Sequence, residues 1–176
     1  MRRFLAIDQS LSSTGVASWV EGDDLPTLET WAEGCTIATR AHAFIAMHRE
    51  IGAAHRERPI HTIAYEQPIK VASDKVEKLI GLYGLAAHIE SIAEIRRIAT
   101  ERIDARSWRR TFLGPERDRK KAGTEKLKRL AVERSRDLGM DPETDDQADA
   151  IGILDHFLHT QGIQPPWRIA HPFLFT

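Results

Sequence analysis

Four acidic residues, Asp8, Glu66, Asp146 and Asp149, stand where carboxylates are costly or are spaced to act together. Asp8 closes the apolar run Phe4-Leu5-Ala6-Ile7, and Glu66 closes Ile63-Ala64-Tyr65. A charge at the end of a buried run costs on the order of several kcal/mol unless it is paired, hydrogen-bonded or bound to metal. In an open α/β sheet, neighbouring parallel strands deliver their carboxyl ends to one edge, where ligands collect. Two carboxylates brought together there repel, and each needs a cation or a proton. Asp146 and Asp149 lie three residues apart, roughly 60° around a helix, so both side chains share a face. Asp145 and Asp149 lie four apart, which makes Asp145 the alternative to Asp146. A helix beginning here offsets part of the negative charge with its N-terminal dipole. Taken singly, Asp8 reads as a turn former and Asp145 and Asp146 as first-turn helix acids. Taken together, four hard oxygen donors without Cys or His favour Mg²⁺ or Mn²⁺ over Zn²⁺.

The elements that must position these acids follow from residue periodicity. Phe4 to Asp8, Gly15 to Val20 and Leu28 to Cys35 read as three strands of an antiparallel meander. Thr39 to Arg58 carries Phe44, Ile45, Ile51 and Ala54 at helical spacing and stops at Pro59. His61 to Glu66 is the next strand. Asp74 to Ile95 is a long helix with Val76, Leu79, Ile80, Tyr83, Ala86, Ala87 and Ile89 at its apolar positions. A fifth strand spans Arg97 to Ile103, and Ala105 to Gly114 forms a short helix or turn. A charged loop, Glu116 to Gly123, leads to a helix from Thr124 to Leu138 with Leu127, Leu130 and Ala131 inward. Thr144 caps a last helix from Asp145 to Thr160. Strand–helix–strand units demand parallel pairing with right-handed crossovers. The expected fold is therefore α/β, a mixed five-stranded sheet flanked by helices. Residues 1–160 form the domain, and residues 161–176, with three prolines, form a C-terminal tail without an assigned role.

Composition narrows the function. No apolar run in the 176 residues approaches the roughly 20 needed to span a bilayer, so no membrane role is expected. The single cysteine, Cys35, excludes a disulfide framework within the chain, which suits a reducing, cytoplasmic setting; its side chain is expected to be a small buried hydrophobe. His42, His48 and His55 lie six and seven apart and do not suit one helical metal site. The net charge of −1 is unevenly distributed. Residues 96–136 hold 15 Lys/Arg against 6 Asp/Glu, while the rest of the chain holds 10 against 20. A basic segment on an acidic body is either an electrostatic footprint for a polyanion or a solvated face of internal ion pairs.

Three segments resemble the motifs of RuvC-type Holliday-junction resolvases, within the ribonuclease H-like superfamily. Ala6-Ile7-Asp8-Gln9-Ser10-Leu11-Ser12-Ser13-Thr14-Gly15 resembles the first, in which an aspartate ends a strand and a Ser/Thr-Gly turn leads into the next. Gln9 departs from it, since many relatives carry Pro there. Ile63-Ala64-Tyr65-Glu66-Gln67-Pro68 resembles the second motif, and Asp146-Gln147-Ala148-Asp149-Ala150 the third. Ala105-Arg106-Ser107-Trp108-Arg109-Arg110 followed by Lys120-Lys121 resembles the bacteriophage-type branch. Together the likeness covers about residues 3 to 160.

The resemblance implies a homodimeric endonuclease that cuts four-way DNA junctions in a bacterial cell or phage-infected host. Asp8, Glu66, Asp146 and Asp149 would be its metal-binding, catalytic residues. Two Mg²⁺ or Mn²⁺ ions about 4 Å apart would flank the scissile phosphate and leave a 5′-phosphate and a 3′-hydroxyl. Arg106, Arg109, Arg110, Lys120 and Lys121 are the candidate DNA-backbone contacts, acting without regard to sequence. Trp108 reads as a core or loop anchor rather than a base-stacking residue, and Ile69 and Val71 as a wedge at the junction centre or as core. Leu82, Leu85, Ile89 and Ile92 exceed what one helix face needs, which points to the helix 74–95 as a dimer interface. Three rival readings remain open at this stage. One is a nuclease for RNA–DNA hybrids or flaps. Another is a sugar-kinase-like or actin-like ATPase, although such proteins normally need two lobes and a longer chain. The third is a junction-binding protein that does not cut.

Overall fold

The computed structural model describes residues 1–31, 34–36, 38–68, 76–114 and 123–175. Five strands form one sheet: β1 (Arg3–Asp8), β2 (Thr14–Val20), β3 (Thr27–Trp31), β4 (Thr62–Glu66) and β5 (Ala99–Ile103). Their spatial order is β3-β2-β1-β4-β5. The first three pair antiparallel, and β1, β4 and β5 run parallel. The helices are α1 (Arg40–Glu57), α2 (Val76–Arg96), α3 (Ala105–Phe112), α4 (Thr124–Asp137), α5 (Asp145–Thr160) and α6 (Pro166–Ala170), followed by a 3₁₀ turn at Pro172–Phe175. The mixed five-stranded sheet flanked by helices is thus the architecture that periodicity predicts.

The apolar run of β1 is continuous because both faces of the strand are covered. Alternate residues serve the two cores, as the period of two requires. Phe4 and Ala6 join α3 and α5 on one side, and Leu5 and Ile7 join α1 and α2 on the other. β4 divides its residues in the same way, with Ala64 on the first side and Ile63 and Tyr65 on the second. Helix α5 is buried almost all round, because it crosses β1 and β2 and is itself covered by α3 and α4.

The helix phases differ from the periodicity reading. In α1 the buried residues are Ala43, Met47, Ile51 and Gly52, while Ile45 is exposed. In α2 the buried set is Gly81, Leu85, Ala86, Ile89, Ile92 and Ala93. Leu85, Ile89 and Ile92 therefore complete the monomer core and are not left for a partner. The exposed apolar residues of α2 are Val76 (67%), Ile80 (53%), Tyr83 (54%) and Ile95 (66%). Apolar residues surround this helix on nearly every side, so the sequence pattern does not define its phase.

β3 ends at Trp31 rather than at Cys35, which is half-buried against the α1–α2 core. β5 begins at Ala99, two residues later than expected, because Arg97 and Ile98 terminate α2. The Arg97 amide donates to the Glu94 carbonyl and the Ile98 amide to the Ala93 carbonyl, with Arg97 at φ 57°. This is a Schellman cap built on a non-glycine residue.

The C-terminal segment is anchored to the domain. Trp167 is buried against Trp19, with ring centroids 5.6 Å apart, and its Nε1 donates to Oδ1 of Asp155 at 3.0 Å. Arg168 grips the same fully buried Asp155 with two bonds of 2.8 and 2.6 Å. Removing one partner of such a pair costs on the order of 3–5 kcal/mol, because the other charge stays buried alone.

Candidate active site

Register brings the first two acids together. In the parallel β1–β4 pair, Ile7 faces Tyr65, so Asp8 and Glu66 are the next residues on adjoining strands. Such strands lie about 4.8 Å apart. On the other side of β1, Asp8 pairs with Gly15 of β2. At Gly15 the start of α5 presses on the sheet: a Cβ there would stand 2.0 Å from the Asp146 carbonyl oxygen. Only glycine admits that approach, and it sets the start of α5 over the end of β1. The helix is capped as expected, with the Gln147 amide donating to Oγ1 of Thr144 at 3.2 Å. The Gln147 side chain donates to Oγ1 of Thr30 at 3.0 Å and fixes the helix to β3.

The acids share one electrostatic environment. Burial pushes the Asp8 carboxyl well above its ordinary range, and the charges of Glu66, Asp149 and Asp146 push it further. Asp149, only 4% exposed, is raised to about 7, chiefly by burial; Arg109 pulls it down and Glu66 pushes it up. Two basic side chains stand among the carboxylates. Nη2 of Arg109 lies 3.9 Å from Oε2 of Glu66 and 3.6 Å from Oδ2 of Asp149. Nζ of Lys128 lies 2.5 Å from Oδ2 of Asp145 and 3.8 Å from Oδ1 of Asp146. Among the described residues, no three His, Cys, Asp or Glu side chains are drawn together closely enough to coordinate an ion in this arrangement.

The donor set nonetheless suits a hard divalent cation, because every group is an oxygen ligand. A further oxygen lies beside it. Gln9 donates from its side-chain nitrogen to the Glu66 carbonyl, and its Oε1 is buried with no hydrogen-bond partner among the described residues. Glu66 is itself held in place: Nε1 of the fully buried Trp108 donates to its Oε2 at 2.8 Å.

The predicted site residues divide into three groups. Asp8 and Glu66 end the adjoining strands β1 and β4, the start of α5 brings Asp146 and Asp149 into the same electrostatic neighbourhood, and Asp145 stands at its margin with Lys128. Arg109, expected as a DNA-backbone contact, lies beside Glu66 and Asp149; Arg106 and Arg110 are exposed on α3. Lys120, Lys121, Ile69, Val71 and the start of the helix expected at Asp74 lie outside the described residues. Periodicity reasoning overlooked Lys128, Gln9 and the hydrogen bond of Trp108. Lys128 carried a signal, since it lies three residues before Ala131, one of the two buried residues of α4. The other two depend on contacts between segments far apart in sequence.

No family model matches the sequence, and no curated protein matches it either. Solved structures do. RuvC of T. thermophilus in complex with a Holliday junction substrate aligns with a TM-score of 0.68 at 12% identity, covering 92% of this chain and 97% of that one. The yeast mitochondrial Holliday junction resolvase Ydc2 aligns with a TM-score of 0.56 at 14% identity, covering 98% and 83%. The fowlpox virus Holliday junction resolvase aligns with a TM-score of 0.56 at 10% identity, covering 90% and 99%. The fold is therefore the one that these three solved structures share.

Proposed function

We propose that this chain is a divalent-cation-dependent endonuclease that cuts four-way DNA junctions in the cytoplasm of a bacterial or phage-infected cell. The convergence of Asp8, Glu66, Asp146 and Asp149 on one edge of a resolvase fold carries this reading. These four would hold two Mg²⁺ or Mn²⁺ ions, and bound cations of this class supply Lewis acidity and an activated water for phosphodiester hydrolysis. The chain's own residues do the positioning. The Asp8–Gly15 register and the close seat of α5 set the acids relative to one another. Trp108 fixes the orientation of Glu66, and the burial of Asp149 excludes bulk water. Arg106 and Arg110, with Lys120 and Lys121 of the neighbouring segment, would neutralise backbone phosphates and orient the duplex without reading bases.

A two-fold symmetric junction is matched by a two-fold symmetric enzyme. The exposed apolar residues Val76, Ile80, Tyr83 and Ile95 give α2 the face through which two copies would meet. No helix among the described residues is long and apolar enough to cross a membrane.

The test is a nicking assay with linear duplex, RNA–DNA hybrid, flap and four-way junction, each with Mg²⁺, Mn²⁺ or chelator. Cation-dependent, paired nicks in the junction alone support the proposal. Preferred cutting of hybrid or flap overturns the substrate, and cutting in chelator overturns the chemistry.

A further inference from the structure

Helix α3 inserts two consecutive residues, Trp108 and Arg109, into the carboxylate edge. The indole of Trp108 fits because α5 has no side chain at Gly152, where a Cβ would stand 2.5 Å from Cζ3 of the ring. One helical turn before Gly152 is Asp149, so the indole braces the helix that carries one acid and hydrogen-bonds the other, Glu66, on β4. Arg109 then stacks on the same indole, with Cζ 4.9 Å from the ring centroid. Its Nη2 faces Oε2 of Glu66 at 3.9 Å and Oδ2 of Asp149 at 3.6 Å. A single nitrogen thus serves carboxylates from two elements. Both separations exceed hydrogen-bonding range, so Arg109 is held there by charge rather than by directed bonds.

We infer that Arg109 is a resident counter-cation, which bridges Glu66 and Asp149 while the centre is free of metal and is displaced when a divalent ion takes those two carboxylates. The inference rests on the metal-centre reading proposed above. Its physical basis is exclusion by like charge. A divalent ion about 2.1 Å from these oxygens would lie within roughly 6 Å of a guanidinium nitrogen that faces the same atoms. The stack on Trp108 supports the guanidinium in the bridging position. In the cation-free state Arg109 limits the repulsion between Glu66 and Asp149; in the loaded state it competes with the metal, weakening cation affinity.

The test is calorimetric titration of the full chain with Mn²⁺ alone, without DNA, for wild type, Asp8→Asn, Arg109→Gln and Arg109→Met. The expected result is binding by wild type, loss of binding in Asp8→Asn, and about tenfold tighter binding in both Arg109 variants. Their cation-free melting temperatures should fall below that of wild type, with the gap narrowing at saturating Mn²⁺. Equal or weaker Mn²⁺ affinity in folded Arg109 variants, with wild type binding and Asp8→Asn not, overturns the inference and leaves the metal centre standing. Absence of Mn²⁺ binding by wild type, or undiminished binding by Asp8→Asn, overturns both. A magnesium titration of wild type followed by NMR needs no variant. The Arg109 Nε–Hε resonance should shift and exchange faster with water as the Glu66 and Asp149 signals saturate; a resonance that stays fixed overturns the inference.

Discussion

The indole Nε1 of Trp108 donates to Oε2 of Glu66 across 2.8 Å, joining a fully buried ring on α3 to the acid that ends β4. A Phe at 108 would keep most of the apolar packing and remove the donor. Trp108→Phe should lower stability by about 1–3 kcal/mol, read by urea denaturation. It should also raise the Mn²⁺ concentration needed for half-maximal cutting, with most activity recovered at high Mn²⁺. A variant whose stability falls while its Mn²⁺ dependence stays unchanged would show that Trp108 only packs.

Gly15 is the point where α5 rests on the sheet, with no room for a Cβ beside the Asp146 carbonyl. Gly15→Ala must push the start of α5 away from Asp8. A destabilisation of about 3 kcal/mol is expected, together with loss of Mn²⁺ binding even where the protein stays folded. Wild-type Mn²⁺ affinity in a folded Gly15→Ala variant would mean that this seat does not position the acids.

Much of this centre was legible in the sequence. Asp8 and Glu66 stood out as a pair, because acids that end neighbouring parallel strands repel and each needs a cation or a proton. Asp146 and Asp149 did so because their spacing survives any small error in where the helix begins. The cap at Thr144 and the order of strands and helices were legible for the same local reasons. The phase of α2 was not, since Val76, Ile80, Tyr83, Leu85, Ile89 and Ile92 surround the helix and only its neighbours decide which are covered. The position of Arg109 was hidden too. One arginine among several in a basic segment reads as a DNA contact, and only the fold shows Glu66 and Asp149 beside it.

The protonation of the acids predicts how the cation-free protein responds to pH. Asp149 moves from an ordinary 3.8 to about 7 on folding, and Asp8 is also raised, in both cases mainly by burial. Between these limits the folded chain holds protons that the unfolded chain has released. Stability in chelator should therefore fall as pH rises from about 4 to 7. Saturating Mg²⁺ should flatten that decline, because the cation replaces the proton. Urea unfolding across this range, with and without Mg²⁺, checks both statements. Stability that rises with pH in chelator would contradict them.

The exposed face of α2 predicts association. Ile80 and Tyr83 are about half exposed and share that face with Val76, so Ile80→Asp or Tyr83→Asp should convert a dimer to a monomer with unchanged circular dichroism. Sedimentation at micromolar concentration measures this. A monomeric wild type would remove the dimer, and a dimer indifferent to both changes would place its interface elsewhere.

The most direct test of the cation centre is anomalous scattering from crystals grown or soaked with Mn²⁺. Peaks bounded by the carboxylates of Asp8, Glu66 and Asp149, with Asp146 or Asp145 completing the shell, are the predicted result. Mn²⁺ bound only elsewhere in a cleavage-competent protein, with those carboxylates still paired to Arg109 and Lys128, would contradict the account.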